Sequence, residues 1–223
     1  MIPVVVLVVA KAPVPGQAKT RLAASIGAQA AADIAAAALL DTLDAVAATQ
    51  VQARVVALTG DLGDASAGDE IRSRLADFTV VPQRGADFAE RLANAHVDAA
   101  EVAGWLPVLQ IGMDTPQVTA DLISECARDL LAADAVLGMA RDGGWWVLGV
   151  MDATMADCLR DIPMSRPDTG VVTLAALEDT GIDVSLVPTL ADVDTVDDIE
   201  AVRRACPPGV RFALVTEGVP HAR

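Results

Sequence analysis

Residues Val4 to Val9 form an unbroken run of valine and leucine, which is followed by a loop containing proline and glycine. An apolar run of this length without polar alternation is typical of a strand buried on both faces. Such strands occur in parallel sheets, where crossover connections place helices over both faces. This run therefore constrains the chain to an α/β fold more strongly than any other feature of the sequence.

Strand-like and helix-like segments alternate along the rest of the chain. Further strands are predicted at residues 53–59, 78–82, 106–112, 135–139, 145–150 and 184–188, and helices at 20–48, 71–76, 88–103 and 119–132. The long first helix is expected to break near Gly27, and Thr195 is expected to cap a last helix. An edge strand is expected at 212–215. The pattern predicts a mostly parallel sheet covered on both faces, within one domain of residues 1–223.

The composition limits the possible partners. The 223 residues include 31 Asp and Glu against 16 Lys and Arg, and this net charge of -15 repels nucleic acid and acidic membranes on average. The N-terminal apolar run ends at Lys11, well short of the roughly 20 residues that a spanning helix needs. Three isolated cysteines favour a reducing compartment, and only His96 and His221 offer histidine chemistry. We therefore expect a cytosolic protein without nucleic-acid or membrane partners; its oligomeric state is not predicted.

Three cations surround the loop after the first predicted strand. Lys11, Lys19 and Arg21 approach the expected start of a helix, whose free N–H groups attract anions. In an acidic chain this convergence suits a di- or triphosphate, although cations that pair with surface acids would fit the charges equally well. The loop is neither a Walker A motif, since Ala18 and Pro13 stand where glycines are required, nor a GxGxxG motif.

Carboxylates follow two other predicted strands. Asp114 lies two residues after strand 106–112, and Asp192 and Asp194 precede the last helix. Ligands of open parallel sheets bind beyond the carboxyl ends of the strands, so Asp114 is well placed to hold Mg²⁺ or Mn²⁺ against phosphate oxygens. One of the later acids could supply a second carboxylate. Capping of a turn and of a helix N-terminus is the alternative role of these acids.

A turn that contains an acid, two glycines and two tryptophans separates the predicted strands 135–139 and 145–150. Asp142, Gly143, Gly144 and Trp145 are candidates for an acceptor pocket, because glycine permits close approach of the backbone to a ligand. A plain hairpin turn, with Trp145 or Trp146 in the core, is equally consistent with these residues.

Gln83 and Gly85 follow the third predicted strand and are candidates for contacts with a base or a ribose. A polar surface loop is the more common meaning of such residues. One amide can hydrogen-bond several bases, so the sequence does not predict which base is preferred.

Together these segments resemble the rSAM/selenodomain-associated transferase 1-like family of small bacterial proteins. The matching segments are Ala10–Ala23, Asp41–Leu43, Gln83 with Gly85, Glu90–Leu92, Gly112–Pro116, Asp142–Gly149 and Asp192–Ile199. The resemblance implies a three-layer α/β/α sandwich of the glycosyltransferase A type, the fold of nucleotide-diphospho-sugar transferases. It also implies a relationship to 2-phospho-L-lactate guanylyltransferases and molybdenum cofactor nucleotidyltransferases.

The resemblance further implies roles for individual residues. The implied roles are phosphate binding at Lys11, Lys19 and Arg21, nucleotide contacts at Gln83, Gly85 and Gly112, catalysis at Lys19, Arg21 and Asp114, and metal binding at Asp114 and Asp194. The implied cofactor is Mg²⁺ or Mn²⁺.

Three functions remain as hypotheses. The first is a nucleotidyltransferase that uses a nucleoside triphosphate and a small acceptor bearing a phosphate or carboxylate, where positioning and electrostatics suffice for catalysis. The second is a glycosyltransferase using a nucleotide sugar. Those enzymes usually carry two acids at the mid-chain strand end, whereas this chain has Asp114 alone there and its one Asp-x-Asp sequence at 192–194. The third is a nucleotide-binding protein without catalysis.

Overall fold

A computed structural model describes residues 1–219 as a seven-stranded sheet with helices on both faces, so His221 lies outside the described residues. The strands are β1 (Ile2–Lys11), β2 (Val51–Thr59), β3 (Thr79–Pro82), β4 (Val108–Gly112), β5 (Ala135–Ala140), β6 (Trp145–Val150) and β7 (Val184–Leu190). The α-helices are α1 (Thr20–Ile26), α2 (Ala28–Ala48), α3 (Gly68–Leu75), α4 (Phe88–Val102), α5 (Ala120–Leu130), α6 (Thr169–Asp179), α7 (Val196–Ala205) and α8 (Arg211–Val215). None of these helices has the length and apolar character needed to cross a membrane.

The strands are ordered β3-β2-β1-β4-β6-β5-β7 across the sheet. Only β6 runs antiparallel to its neighbours, β4 and β5, whereas the other paired strands are parallel. The predicted mostly parallel sheet is thereby confirmed. As a result, the segments that follow β1, β3, β4, β5 and β7 all emerge at the same edge of the sheet.

The two faces of β1 explain the three layers. Val6 and Val8 are fully buried in one apolar cluster with α2 and α5. Leu7 and Val9 point the other way, into a second cluster with α4 and α6. Because successive side chains of a strand alternate between faces, an unbroken valine run provides apolar contacts to both helical layers. The expected α/β/α sandwich is confirmed.

The predicted break in the first long helix is also confirmed at Gly27. This residue separates α1 from α2 and has a positive φ of 89°, a conformation that glycine adopts without a steric penalty. Its N–H donates to the carbonyl of Ala23 and so satisfies the end of α1. The chain therefore forms two helices in this region, which begin at Thr20 and at Ala28.

The predicted edge strand at 212–215 is wrong, because this segment forms α8. Asp41 of α2 accepts hydrogen bonds from the backbone N–H groups of Arg211 (3.0 Å) and Phe212 (2.8 Å), the first residues of the helix. Phe212 is fully buried in a cluster with α1, α2 and α7. Tertiary packing therefore overrides the strand-like composition of these residues.

Two helices between β6 and β7 were not predicted, namely the 3-10 helix Ala153–Asp161 and α6. The apolar residues of α6 do not follow helical periodicity, because Thr173 is completely buried while Val171 is exposed. The connecting segment 162–168 crosses the carboxyl edge of the sheet and reaches the cleft described below.

Candidate functional site

A cleft of about 560 Å³ opens at the carboxyl edge of the parallel strands. The predicted site residues that line it are Lys11, Arg21, Gln83, Gly112, Asp114, Asp142, Gly144, Trp145 and Asp194. Lys19 lines an adjoining pocket of about 240 Å³, which shares Asp114 and Asp194 with the cleft. The topology thus gathers most of the predicted residues, which are up to 183 positions apart in the sequence (from 11 to 194), into one site.

Lys19 is the centre of an ion-pair cluster. It caps the start of α1 with a left-handed backbone (φ 49°, ψ 50°), which is uncommon for a residue other than glycine. Its Nζ lies 2.8 Å from Oδ2 of Asp114 and 3.9 Å from Oδ1 of Asp194, and only 9% of its side chain is exposed. Arg21 pairs with the other carboxylate oxygen of Asp194. The cations of the first loop and the acids after β4 and β7 therefore face one another.

Lys11 lies at the end of β1, where its Nζ donates to the carbonyl of Gln17 at 2.8 Å. It makes no ion pair with any carboxylate in residues 1–219. Lys11 lines both the cleft and the adjoining pocket. Its charge is therefore available to an anion at the junction of the two.

The carboxylates of Asp114 and Asp194 fit a divalent ion that arrives with a phosphate. Oδ1 of Asp114 is buried without a hydrogen-bond partner in the described chain, and such an orphaned acceptor suits a cation. Within residues 1–219, no group of three or more His, Cys, Asp or Glu side chains could hold a metal by itself. Mg²⁺ commonly takes one or two carboxylates and completes its shell with waters and substrate phosphates.

Asp192 also lines the cleft, close to other acids. Burial raises the pKa of its carboxyl to about 6, and the negative charge of Asp142 adds to the effect. The negative charge of Asp114 also raises the pKa of Asp192, whereas the positive charge of Lys19 lowers it. The acidic side of the cleft therefore favours cations.

The pKa of Asp192 is about 6 in the folded protein and 3.8 in an unfolded chain. Ionisation of Asp192 therefore destabilises the fold fully above about pH 6, and this effect disappears below pH 3.8, where the carboxyl is protonated in both states. We expect Asp192→Asn to raise the melting temperature at pH 8 in metal-free buffer and to change it little at pH 3.5. Calorimetric scans of both proteins at the two pH values measure this difference. A lower melting temperature of the variant at pH 8 would contradict the expectation.

Two of the predicted ligand-contacting glycines instead pack against protein backbone. A Cβ on Gly143 would lie 1.8 Å from the carbonyl oxygen of Pro167, and one on Gly85 would lie 2.8 Å from the N atom of Arg91. Neither glycine lines the cleft. Gly143 thus permits the turn to contact segment 162–168, and Gly85 permits its loop to contact α4.

Gly112 differs from these two glycines, because a Cβ there would have no atom nearer than 4.0 Å. Protein packing therefore does not require glycine at this position, which lines the cleft two residues before Asp114. Close approach of a ligand to the backbone is a reason for glycine that agrees with this open space.

The two tryptophans of β6 have different environments. Trp146 is 2% exposed, and its indole N–H donates to the carbonyl of Pro188 at 2.8 Å. Trp145 is partly buried and lines the cleft beside Asp142 and Gly144. One tryptophan, Trp146, therefore packs in the core, as expected for a plain hairpin turn. The other, Trp145, lines the cleft at the candidate acceptor pocket.

Gln83 is oriented by the ends of two strands. Its Nε2 donates to the carbonyl oxygens of Ala10 (2.8 Å) and Ala57 (3.0 Å). Both amide protons are therefore engaged, and Oε1 remains as an acceptor in a side chain that lines the cleft. Gln83 is suited to accept a hydrogen bond from an N–H or O–H group of a ligand.

Sequence reasoning assigned no role to several residues on the wall formed by α4 and segment 162–168. Phe88 and Arg91 from α4, Gln110 from β4 and Arg166 from the segment line the cleft. A signal for Gln110 was present, since it is a polar residue within a buried strand. Arg166 gave none, because its position depends on two helices that the sequence did not predict.

Comparison with protein families gives one match that covers more than half of the chain. The model described as "Uncharacterized protein conserved in bacteria (DUF2064)" matches residues 42–166. A comparison with curated protein sequences gave no match.

Solved structures with the same fold include enzymes of nucleotide chemistry. A Desulfovibrio desulfuricans G20 protein, provisionally described as a nucleotide-diphospho-sugar transferase, matches with a TM-score of 0.83 and 26% identity over 97% of this chain and 95% of its own. A cytidylyltransferase from Leptospira borgpetersenii serovar Hardjo-bovis matches with a TM-score of 0.58 and 14% identity over 97% and 93%. The Rv0371C protein of Mycobacterium tuberculosis H37Rv, in complex with manganese, matches with a TM-score of 0.50 and 19% identity over 90% and 97%. The expected nucleotide-diphospho-sugar transferase fold is confirmed, whereas the narrower rSAM/selenodomain-associated name stays a prediction.

Proposed function

The chain belongs to the DUF2064 family of bacterial proteins, and from the geometry of its cleft we propose that it is a metal-dependent nucleotidyltransferase. It would transfer a nucleoside monophosphate from a nucleoside triphosphate to a small acceptor bearing a phosphate or carboxylate, with release of pyrophosphate. The fold is shared with a cytidylyltransferase, which supports this reaction class. The unpaired state of its three cysteines agrees with the expected cytosolic location.

The main support for the proposal is one observation: cations suited to bind phosphates lie against carboxylates suited to bind a divalent metal ion. Lys19 Nζ is 2.8 Å from Asp114, and Arg21 pairs with Asp194. Both members of such an ion pair can change partner when the substrate binds. The lysine or arginine can bind a phosphate oxygen in place of the carboxylate, and the carboxylate can bind a divalent ion in place of the lysine or arginine. A triphosphate with its divalent ion provides both partners at once.

The residues of the loop would bind and orient the triphosphate. Lys11 and Arg21 would contact its outer phosphates, while Lys19 exchanges Asp114 for a phosphate oxygen near the reacting phosphorus. Asp114 and Asp194 are then free to hold Mg²⁺ or Mn²⁺, which would neutralise charge on the phosphates when bound. The acceptor oxygen forms a bond to the α-phosphorus as the bond to the bridging oxygen breaks, and that oxygen leaves with pyrophosphate. No side-chain nucleophile is required.

Other cleft residues would bind the base of the nucleotide and the acceptor. Gln83 offers Oε1 to an N–H group of the base, and Gly112 leaves room for the nucleotide. Asp142, Gly144 and Trp145 border the space left for the acceptor.

Glycosyl transfer from a nucleotide sugar is the second candidate. The Desulfovibrio protein, at 26% identity, is described in those terms. In addition, the Asp-x-Asp sequence of residues 192 and 194, although late in the chain, lines the cleft beside Asp114. An acidic pair of this kind holds the metal in many such enzymes.

A ligand panel distinguishes the candidates. We expect one nucleoside triphosphate, with Mg²⁺ or Mn²⁺, to raise the melting temperature by several degrees at about 100 times its Kd, and to yield pyrophosphate with a suitable acceptor. Nucleotide sugars are the comparison set. A larger shift with a nucleotide sugar would favour glycosyl transfer, and binding without release of pyrophosphate across an acceptor panel would favour a non-catalytic protein.

A further inference from the structure

A buried polar pair lies beneath the cleft, outside the ion-pair cluster. Gln110 of β4 is 2% exposed, and His96 of α4 is fully buried. Oε1 of Gln110 and both ring nitrogens of His96 lack hydrogen-bond partners within residues 1–219. Buried polar groups without partners are rare and unfavourable, so three such atoms at one place call for an explanation.

The two side chains are neighbours on one face of the sheet. Val108, two residues before Gln110, packs into the cluster that contains α4, so strand alternation directs Gln110 toward this helix. Burial lowers the pKa of His96 to about 3, and a contact with Gln110 opposes that shift. The imidazole is therefore neutral at physiological pH and has one N–H to donate.

Gln110 reaches the cleft from this buried position. Because its Oε1 is buried, the amide nitrogen is the end that faces the cleft. A His96 N–H that donates to Oε1 would hold the amide in this orientation, with its two donors directed at a ligand oxygen.

Arg91 adds a charge to the same wall. It belongs to α4, lines the cleft, and has no ion pair in the described part of the chain; its guanidinium contacts only the carbonyl of Gly85, at 3.4 Å. Lys11, by contrast, ends β1 and Arg21 lies in the first turn of α1. Ala18, in the loop between them, packs on the opposite face of the sheet. The cleft thus has two separate sets of cations.

We propose that Gln110 and Arg91 form an oxyanion subsite that binds the carboxylate or phosphate group of the acceptor, with His96 as the positioning residue for Gln110. This inference rests on the proposed nucleotidyl transfer and defines the acceptor as an anion. The cations on the other wall are occupied by the triphosphate. Asp142 borders the acceptor space, but it and Asp192 would repel the anionic group of the acceptor, so this group is directed away from the two acids. Arg166 also lines the cleft, but it pairs with Asp168, so Arg91 of α4 and Gln110 of β4 are left for the anionic group of the acceptor.

The test uses the full chain loaded with Mg²⁺ and a non-hydrolysable form of the triphosphate that binds best. Isothermal titration with glycerol 3-phosphate and with glycolate then measures binding of a phosphate monoester and of a carboxylate. We expect one of them to bind, and both Arg91→Met and Gln110→Met to weaken that binding at least about tenfold. Nucleotide affinity should change less than about twofold. Arg128→Met, in an exposed position of α5, is the matched control.

The role of His96 is tested by a double-mutant cycle. We expect His96→Leu to weaken anion binding in the wild-type background and to have no further effect in Gln110→Met, because the two residues act through one contact. His96→Asn, which retains an N–H donor, should restore part of the affinity. A structural role alone would lower the melting temperature without this coupling.

The outcomes distinguish failure of the subsite from failure of the proposed function. If nucleotide binds but neither anion does, or if Gln110→Met and Arg91→Met weaken nucleotide rather than anion binding, the subsite is wrong and nucleotidyl transfer still stands. If no triphosphate binds with either metal, both the proposed function and the subsite are wrong.

Discussion

Turnover by the Asp114→Asn variant is expected to fall by about 10² to 10³-fold, because the substitution removes a charge next to the reacting phosphates. Asparagine has the same shape, but it cannot neutralise a divalent ion and gives Lys19 a weaker partner than the carboxylate now 2.8 Å away. Binding of Mn²⁺ in the presence of the triphosphate should weaken in parallel. Pyrophosphate release and Mn²⁺ titration by electron paramagnetic resonance measure the two effects.

The control for this prediction is Asp142→Asn, which removes a carboxylate from the same cleft at a position without an ion pair to Lys19. We expect it to leave Mn²⁺ binding unchanged. Melting temperatures of both variants should stay close to that of the wild type, since the Asp114 side chain is 38% exposed and partly exposed pairs contribute little to stability. Undiminished turnover by Asp114→Asn would rule out this residue as the metal ligand.

Unfolding of the Asp41→Ala variant is expected to require about 2 to 4 kcal/mol less free energy than that of the wild type. Asp41 is 6% exposed and accepts the first N–H groups of α8 as well as a contact from the Arg211 guanidinium, 3.4 Å away. Alanine leaves these donors without their acceptor at the start of a helix whose Phe212 fills the core. Urea denaturation followed by circular dichroism measures the loss.

Asp44→Ala is the matched control, one turn further along α2. Asp44 forms ion pairs with Arg74 and Arg211 at 2.6 Å, but its side chain is 36% exposed. We expect a loss below about 1 kcal/mol. Equal losses in the two variants would show that surface charge, rather than the buried acceptor, attaches α8. Asp41 belongs to the segment Asp41–Leu43, which resembles the family. It binds the start of α8 and does not line the cleft.

The candidate site was predictable where its residues lie at strand ends. Lys11 ends β1 and Asp114 lies two residues beyond the end of β4, and parallel strands bring such positions to one edge of the sheet. The roles of glycines were less predictable. Gly85 and Gly143 occur in turns like those that approach ligands, yet each contacts protein backbone, because the sequence does not show which segment will lie opposite a turn.

The subsite that we propose at Gln110 and Arg91 could not be derived from the sequence. Gln110 and His96 come from different elements, and their contact depends on how α4 packs on the sheet. Arg166 reaches the cleft only because the unpredicted 3-10 helix and α6 direct segment 162–168 across the strand ends.

The sequence by itself determined the elements with strong periodicity or clear breaks: the buried run of β1, the alternation of strands and helices, and the glycine between α1 and α2. Local conformational preferences and the need to bury apolar faces are sufficient for these. Only the tertiary structure decided that residues 211–215 form a helix, that Lys19 pairs with Asp114, and that a histidine and a glutamine meet beneath the cleft. Those contacts join residues distant in sequence, so their energies appear only after the chain has packed.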